Sequence, residues 1–352
     1  MSGLRVPVMQ PHFTTGKKMM QINKVLGEVY CYNFPVDDPI NKLKAIFLFW
    51  GSARVAGMNI RKKLRNIFWA LPVITMISIS TATAETDWIR LSATAIKQGG
   101  FIKITLEELG NAVVRVSFLG ADKELPLKEN RFYGLVAASY YTPPGEHPLT
   151  VTVIRDDQSI IKEYPIKVIK GQFPEEHIRV PEKTRRAILT PEKRDSDNRA
   201  AGAARRETAA QVLPPLWMAP FQWPLKGRVT TAFGFARYVN EIGNGRHSGI
   251  DIAAPKGTPV AACNRGKVVL AGNLYLTGLT VIVHHGLDLF TSYCHLSGMA
   301  VKEGDWVEQG QVLGQVGATG LATGPHLHLT FRIGEVCVDP YLFLGREVGW
   351  AY

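Results

Sequence analysis

Between positions 326 and 333 the chain reads His-Leu-His-Leu-Thr-Phe-Arg-Ile, a strict alternation of polar and apolar side chains. A period of two fits an extended strand, whose successive side chains leave opposite faces of a sheet. His326, His328, Thr330 and Arg332 therefore share one face of a half-buried strand, and Leu327, Leu329, Phe331 and Ile333 share the other. A lone strand histidine is usually structural. Two imidazoles projecting together from the polar face favour a metal or catalytic site.

The surrounding chain supplies the sheet that this strand needs. From Leu213 onward it is dense in glycine and short apolar runs, among them Lys267 to Gly272, Thr280 to Val283 and Leu289 to Leu296. Evenly spaced strands with glycine turns predict an antiparallel, barrel-like β domain over 213–352. Upstream, Ile102, Ile104 and Leu106 alternate with Lys103 and Thr105, and Val114, Val116 and Phe118 with Arg115 and Ser117. Leu149 to Val153 follows the turn Pro143-Pro144-Gly145, and Ile166-Lys167-Val168 closes the region. These short strands predict a small immunoglobulin-like β-sandwich over 85–172, and the fold class is mainly β. That region holds no cluster of catalytic residue types and reads as a spacer or wall-binding module. Residues 173–212 turn to charge and alanine (Arg185-Arg186, Ala200-Ala201, Arg205-Arg206) and read as a solvated linker with room for a helical stretch.

The formal charge of +11 suggests nucleic acid, but it is unevenly placed. Residues 1–84 carry 11 Lys+Arg and 3 Asp+Glu, which leaves 30 basic against 27 acidic residues and a net of +3 for the rest. A polyanion partner loses its support, and no nucleic acid is expected.

Met58 opens a segment with the parts of a secretory signal: Arg61, Lys62, Lys63 and Arg65, an apolar run from Ile67 to Ile79, then Ala82-Thr83-Ala84. The run is broken by Pro72 and falls short of the ~20 residues a bilayer core requires. Residues 58–84 are thus expected to be a signal peptide cleaved before Glu85, with an uncleaved inner-membrane anchor as the alternative. Translation is expected to start at Met58, against the alternative that residues 1–57 are a real extension.

Six of the nine histidines lie between 247 and 328. His247 and Asp251, four apart, face the same side of a segment, and imidazole with carboxylate is a proper zinc donor pair. An HxxxD match alone also fits a surface hydrogen bond; beside His326 and His328 it points to a metal. A catalytic zinc takes three protein ligands and keeps one position for water, whose pKa falls to about 7. His247, Asp251 and one of His326 and His328 supply three ligands. With no HExxH in the chain, the spare histidine is the natural base, and His295 is placed to orient it or to stabilise an oxyanion. His284 and His285 precede Gly286 at a turn and read as structural. Cys31, Cys263, Cys294 and Cys337 form no CxxC pair; one disulfide or three buried thiols in the C-terminal domain both fit.

These segments, in this order, resemble the lysostaphin-type (LytM-type) zinc metallopeptidases: Phe233-Gly234, His247-Ser248-Gly249-Ile250-Asp251, Gly257-Thr258-Pro259-Val260, Tyr293-Cys294-His295-Leu296, and Gly317-Ala318-Thr319-Gly320 leading to Gly324-Pro325-His326-Leu327-His328. The resemblance covers roughly residues 215–345. It implies that His247, Asp251 and His328 bind Zn2+ while His295 and His326 are catalytic. It also implies that the substrate is peptide cross-links of peptidoglycan and that the enzyme is exported, to a Gram-negative periplasm. Some relatives have lost ligands and instead activate cell-wall amidases, whereas all five positions match here. The stretch Val301 to Gly314 also looks like the hairpin of lipoyl or biotinyl carriers, but no lysine follows Lys302, and shared barrel geometry explains the likeness.

Overall fold

The computed structural model describes residues 20–23, 29–32 and 88–346, apart from 157 and 218, and the chain divides into two units, 1–83 and 84–352. In the first unit the strands Met20–Asn23 and Val29–Tyr32 pair antiparallel. The expected signal segment at 58–84 and its cleavage point lie outside the described residues, as do the expectations for the start at Met58. No described helix is long and apolar enough to cross a membrane.

The second unit begins with two β-sheets. One runs in the order Ala95–Lys97, Gln158–Ile169, Gly145–Arg155, Val113–Phe118, Ala121–Glu124; the other runs Ile89–Leu91, Phe101–Glu107, Arg131–Ala137, Leu127–Lys128. Alternation makes the core: Ile102, Ile104 and Leu106 from one sheet meet Val114, Val116, Leu149 and Val151 from the other, all buried. The strand Arg131–Ala137 carries apolar side chains on both faces. Phe132 and Val136 enter this core, while Tyr133, Leu135 and Ala137 enter the core of the C-terminal domain. Phe101 stacks on Phe343 at 4.6 Å and Lys123 pairs with Asp288 at 2.9 Å across the same junction. The two β regions are thus packed together rather than strung on a line.

Residues 173–212, read from composition as a solvated linker, carry a strand and two helices. Glu175–Ile178 pairs in parallel with Ala236–Val239. The helix Pro191–Ala209 starts at Thr190, whose hydroxyl accepts from the Lys193 amide, with proline at the first position. Alanine makes this helix able to approach closely: Ala201 and Ala204 sit on Val269, Leu270, Ile282 and Phe290. Asp197, buried, accepts from the backbone N–H groups of Tyr275 and Leu276 at 2.8 and 2.7 Å, and Arg205 donates to Glu335 at 2.6 Å.

The C-terminal sheet runs Arg228–Thr231, Ile250–Ala253, His326–Ile333, Leu289–Met299, Gly278–His284, Gly266–Leu274, Trp306–Val307, with each neighbouring pair antiparallel. Leu327, Leu329, Phe331 and Ile333 enter one core with Ile250, Ile252, Tyr293 and Leu296. The polar face of the same strand is not open as expected. His328 and Thr330 are buried too, beneath His247, Ser248 and Asp251. Of the two disulfide alternatives the second holds: Cys263, Cys294 and Cys337 are buried free thiols, and burial pushes Cys263 and Cys294 up to about 12.

His285 bonds the Arg265 carbonyl at 2.7 Å and the Thr291 hydroxyl at 2.8 Å. His284 stacks on Phe290 at 4.6 Å, and neither of its buried ring nitrogens has a hydrogen-bond partner among the described residues. Burial pushes His284 down from its ordinary 6.5 to about 4. Below pH 6.5 the unfolded chain therefore takes up a proton that the folded chain refuses, and stability falls as pH drops toward 4 by about 1.4 kcal/mol per pH unit for such a group. His284→Leu should stabilise the fold at pH 7 by about 1 kcal/mol, through loss of an unsatisfied buried polar group. It should also lose less of its thermal midpoint between pH 7 and 4.5 than the parent, which calorimetry at the two pH values reads. An equal loss in both proteins would remove His284 from the acid response.

Candidate metal centre

Strand register brings the chelating groups together. Asp251 stands opposite His328, and Ala253, with its small side chain, opposite His326. Gly249 lets the neighbouring strand come this close: a Cβ there would lie 2.0 Å from the Leu329 carbonyl oxygen. His247 precedes the Ile250–Ala253 strand and is tied by its backbone N–H to the Phe235 carbonyl, while its own carbonyl accepts from Gly234.

The three nearest donor atoms form a triangle. His247 Nε2 is 3.0 Å from Asp251 Oδ1 and 2.9 Å from His328 Nδ1, and His328 Nδ1 is 2.8 Å from the same Asp251 oxygen. The outward nitrogens are engaged elsewhere. His247 Nδ1 lies 2.8 Å from the Ala232 carbonyl, which can only accept, so Nδ1 carries the hydrogen and Nε2 a lone pair. His328 Nε2 lies 2.9 Å from Thr330 Oγ1 and 3.2 Å from Ser248 Oγ, and with its hydrogen on Nε2 the Nδ1 lone pair points inward. Two lone pairs and a carboxylate oxygen facing one another repel unless a cation lies among them, and this donor set suits a divalent metal. His247, Asp251 and His328 are the residues among those described that converge in this way.

Electrostatics agree with that use. Burial pushes His328 down to about 4, so it is neutral at pH 7, as a ligand must be. Arg237 Nη2 donates to the second Asp251 oxygen, Oδ2, at 3.2 Å.

His295 and His326 complete the group, with ring centroids 4.8 Å apart and His295 6.0 Å from His328. Cys294 pairs with His328, so regular alternation would send His295 to the opposite, core face. A left-handed backbone at His295, φ 61°, breaks the alternation and turns the imidazole back toward the site. Its amide donates to the Thr277 carbonyl and its Nδ1 to the Thr319 carbonyl at 2.7 Å. His326 Nδ1 donates to the Gly324 carbonyl at 2.8 Å, and its Nε2 lies 3.8 Å from Asp251 Oδ1. Both rings thus keep a lone pair on Nε2, and that of His326 lies 3.8 Å from Asp251 Oδ1. Burial first, then the neighbouring imidazoles, push His295 down to about 3, so it stays neutral. Sequence reasoning did not find Arg237, Ser248 or Thr330; the last shares the polar face of the alternating strand and was legible from that position.

The catalytic domain of lysostaphin from Staphylococcus simulans is 32% identical to this chain, covering 33% of it and 90% of that domain, with a TM-score of 0.31. Cell division protein DipM of Caulobacter vibrioides is 41% identical over 133 residues, 36% of this chain and 21% of DipM. The DD-carboxypeptidase/endopeptidase Mpg of Neisseria meningitidis is 40% identical over 113 residues, 32% of this chain and 26% of Mpg. The chain therefore spans about a quarter or less of these two relatives. The profile of peptidase family M23 matches residues 245–340, the stretch that holds His247, Asp251, His295, His326 and His328. By that match, these sequence identities and its intact metal-site residues, the chain belongs to peptidase family M23, the lysostaphin/LytM type.

Proposed function

We propose that the chain is a zinc metalloendopeptidase that hydrolyses peptide cross-links of bacterial peptidoglycan after export, in a periplasm. The observation that carries this reading is the convergence of His247 Nε2, Asp251 Oδ1 and His328 Nδ1 on one point, with two further imidazoles beside it. The relative Mpg, a DD-carboxypeptidase/endopeptidase, supports the substrate class. The immunoglobulin-like reading of the first β region rests on its two facing sheets and shared core.

Bound in that triad, zinc supplies Lewis-acid polarisation of the scissile carbonyl and of a water molecule. The chain does the proton work. His326 Nε2, with its ring fixed by the Gly324 carbonyl, takes a proton from the attacking water and returns it to the leaving amine. His295 Nε2 accepts the water's other hydrogen and so orients it. Because the Thr319 carbonyl keeps the hydrogen on Nδ1 and burial opposes protonation, His295 is suited to that role and not to donating to an oxyanion.

Purified peptidoglycan incubated with the protein, with and without chelator, tests the reading by the mass of what is released. Chelator-sensitive release of uncrosslinked peptides is the expected result. A zinc-loaded protein that releases nothing alone but stimulates an amidase, freeing whole stem peptides, would replace it with an activator role.

A further inference from the structure

Glu176 lies on the strand Glu175–Ile178, some way ahead of the family match at 245–340, in the segment whose composition reads as linker. In the parallel pairing with Ala236–Val239, Glu176 stands opposite Arg237. One Glu176 oxygen accepts from Arg237 Nε at 2.9 Å and the other from the Thr231 hydroxyl at 2.6 Å. Arg237 then donates from Nη2 to Asp251 Oδ2 at 3.2 Å, while Asp251 Oδ1 is the oxygen that faces His247 and His328. The three side chains are mostly shielded, Glu176 and Arg237 21% exposed and Asp251 10%.

We infer that Glu176 and Arg237 are positioning residues of the metal site, a relay through which the strand ahead of the peptidase domain fixes the Asp251 carboxylate. The inference rests on the reading that His247, Asp251 and His328 hold zinc. A ligating carboxylate has two oxygens and a rotatable bond; pinning Oδ2 leaves Oδ1 as the one offered to the metal. The planar guanidinium suits the task because it has separate donors for the two carboxylates it joins. An arginine beside a cation site is by itself repulsive. Glu176 cancels that charge while holding the guanidinium in place. The pairing of this strand with Ala236–Val239 is therefore coupled to metal affinity.

Zinc affinity of the full chain, measured by competition with a chromophoric chelator, tests this with Glu176→Gln, Arg237→Met and the double variant, alongside the thermal midpoint of each metal-free protein. Each single change should weaken zinc binding about ten- to a hundred-fold. The double variant should bind no more weakly than Arg237→Met alone, since Glu176 acts through Arg237. Parental affinity in Glu176→Gln, or an added loss from it in the Arg237→Met background, overturns the relay. Should Glu176→Gln not fold, Arg237→Met alone decides, and parental affinity there overturns it. A parent chain that takes up no zinc in the same titration overturns the metal reading first, and the relay with it.

Discussion

Asp251→Ala and His328→Ala are each expected to lose bound zinc and peptide hydrolysis together. Each removes one of three donors from a triangle whose edges are 2.8 to 3.0 Å, and no other described carboxylate or imidazole joins that set. The loss in zinc affinity should exceed the about ten- to a hundred-fold typical of residues that merely support a ligand. The fold should survive, because Ile250, Ile252, Leu327 and Leu329 keep both strands in the core and Arg237 keeps Glu176 as its ion-pair partner. Metal analysis and a circular dichroism melt on each purified variant check both statements. A variant that hydrolyses peptide without zinc would refute the shared role.

His326→Ala should separate what those substitutions join. His326 Nε2 stands 3.8 Å from Asp251 Oδ1, farther than the nitrogens of His247 and His328, and its ring is held by the Gly324 carbonyl, not by a ligand. Zinc content should therefore stay near that of the parent, while kcat falls by about 10²–10⁴, the usual contribution of a positioned base. Near-normal turnover would move the base to His295, the other ring that offers an Nε2 lone pair.

The sequence made the chemistry legible where it follows from spacing. Alternation from His326 to Ile333 put both imidazoles on one face, and the observed register sets that face opposite Asp251. His295 was legible as a residue type at a strand end, but its direction was not, because it depends on a left-handed backbone that breaks alternation. The segment 173–212 misleads by composition. Low apolar content normally marks a solvated stretch, yet here alanines pack a helix closely, a buried aspartate holds two backbone amides, and Glu176 reaches Arg237. The strand Arg131–Ala137 did carry a signal, since Phe132-Tyr133-Gly134-Leu135-Val136-Ala137 is continuously apolar and such runs are buried on both faces. What it packs against is a tertiary fact that local pattern does not encode.

The central claim is that zinc held by His247, Asp251 and His328 makes the chain a peptidase. Its most direct measurement is a titration of the metal-free protein with zinc, following release of monomeric peptides from a cross-linked peptidoglycan fragment. No release is expected at zero zinc, and release should rise with bound metal to one ion per chain, a rise absent in Asp251→Ala. Undiminished release from metal-free protein, or release unaffected by Asp251→Ala, would contradict it.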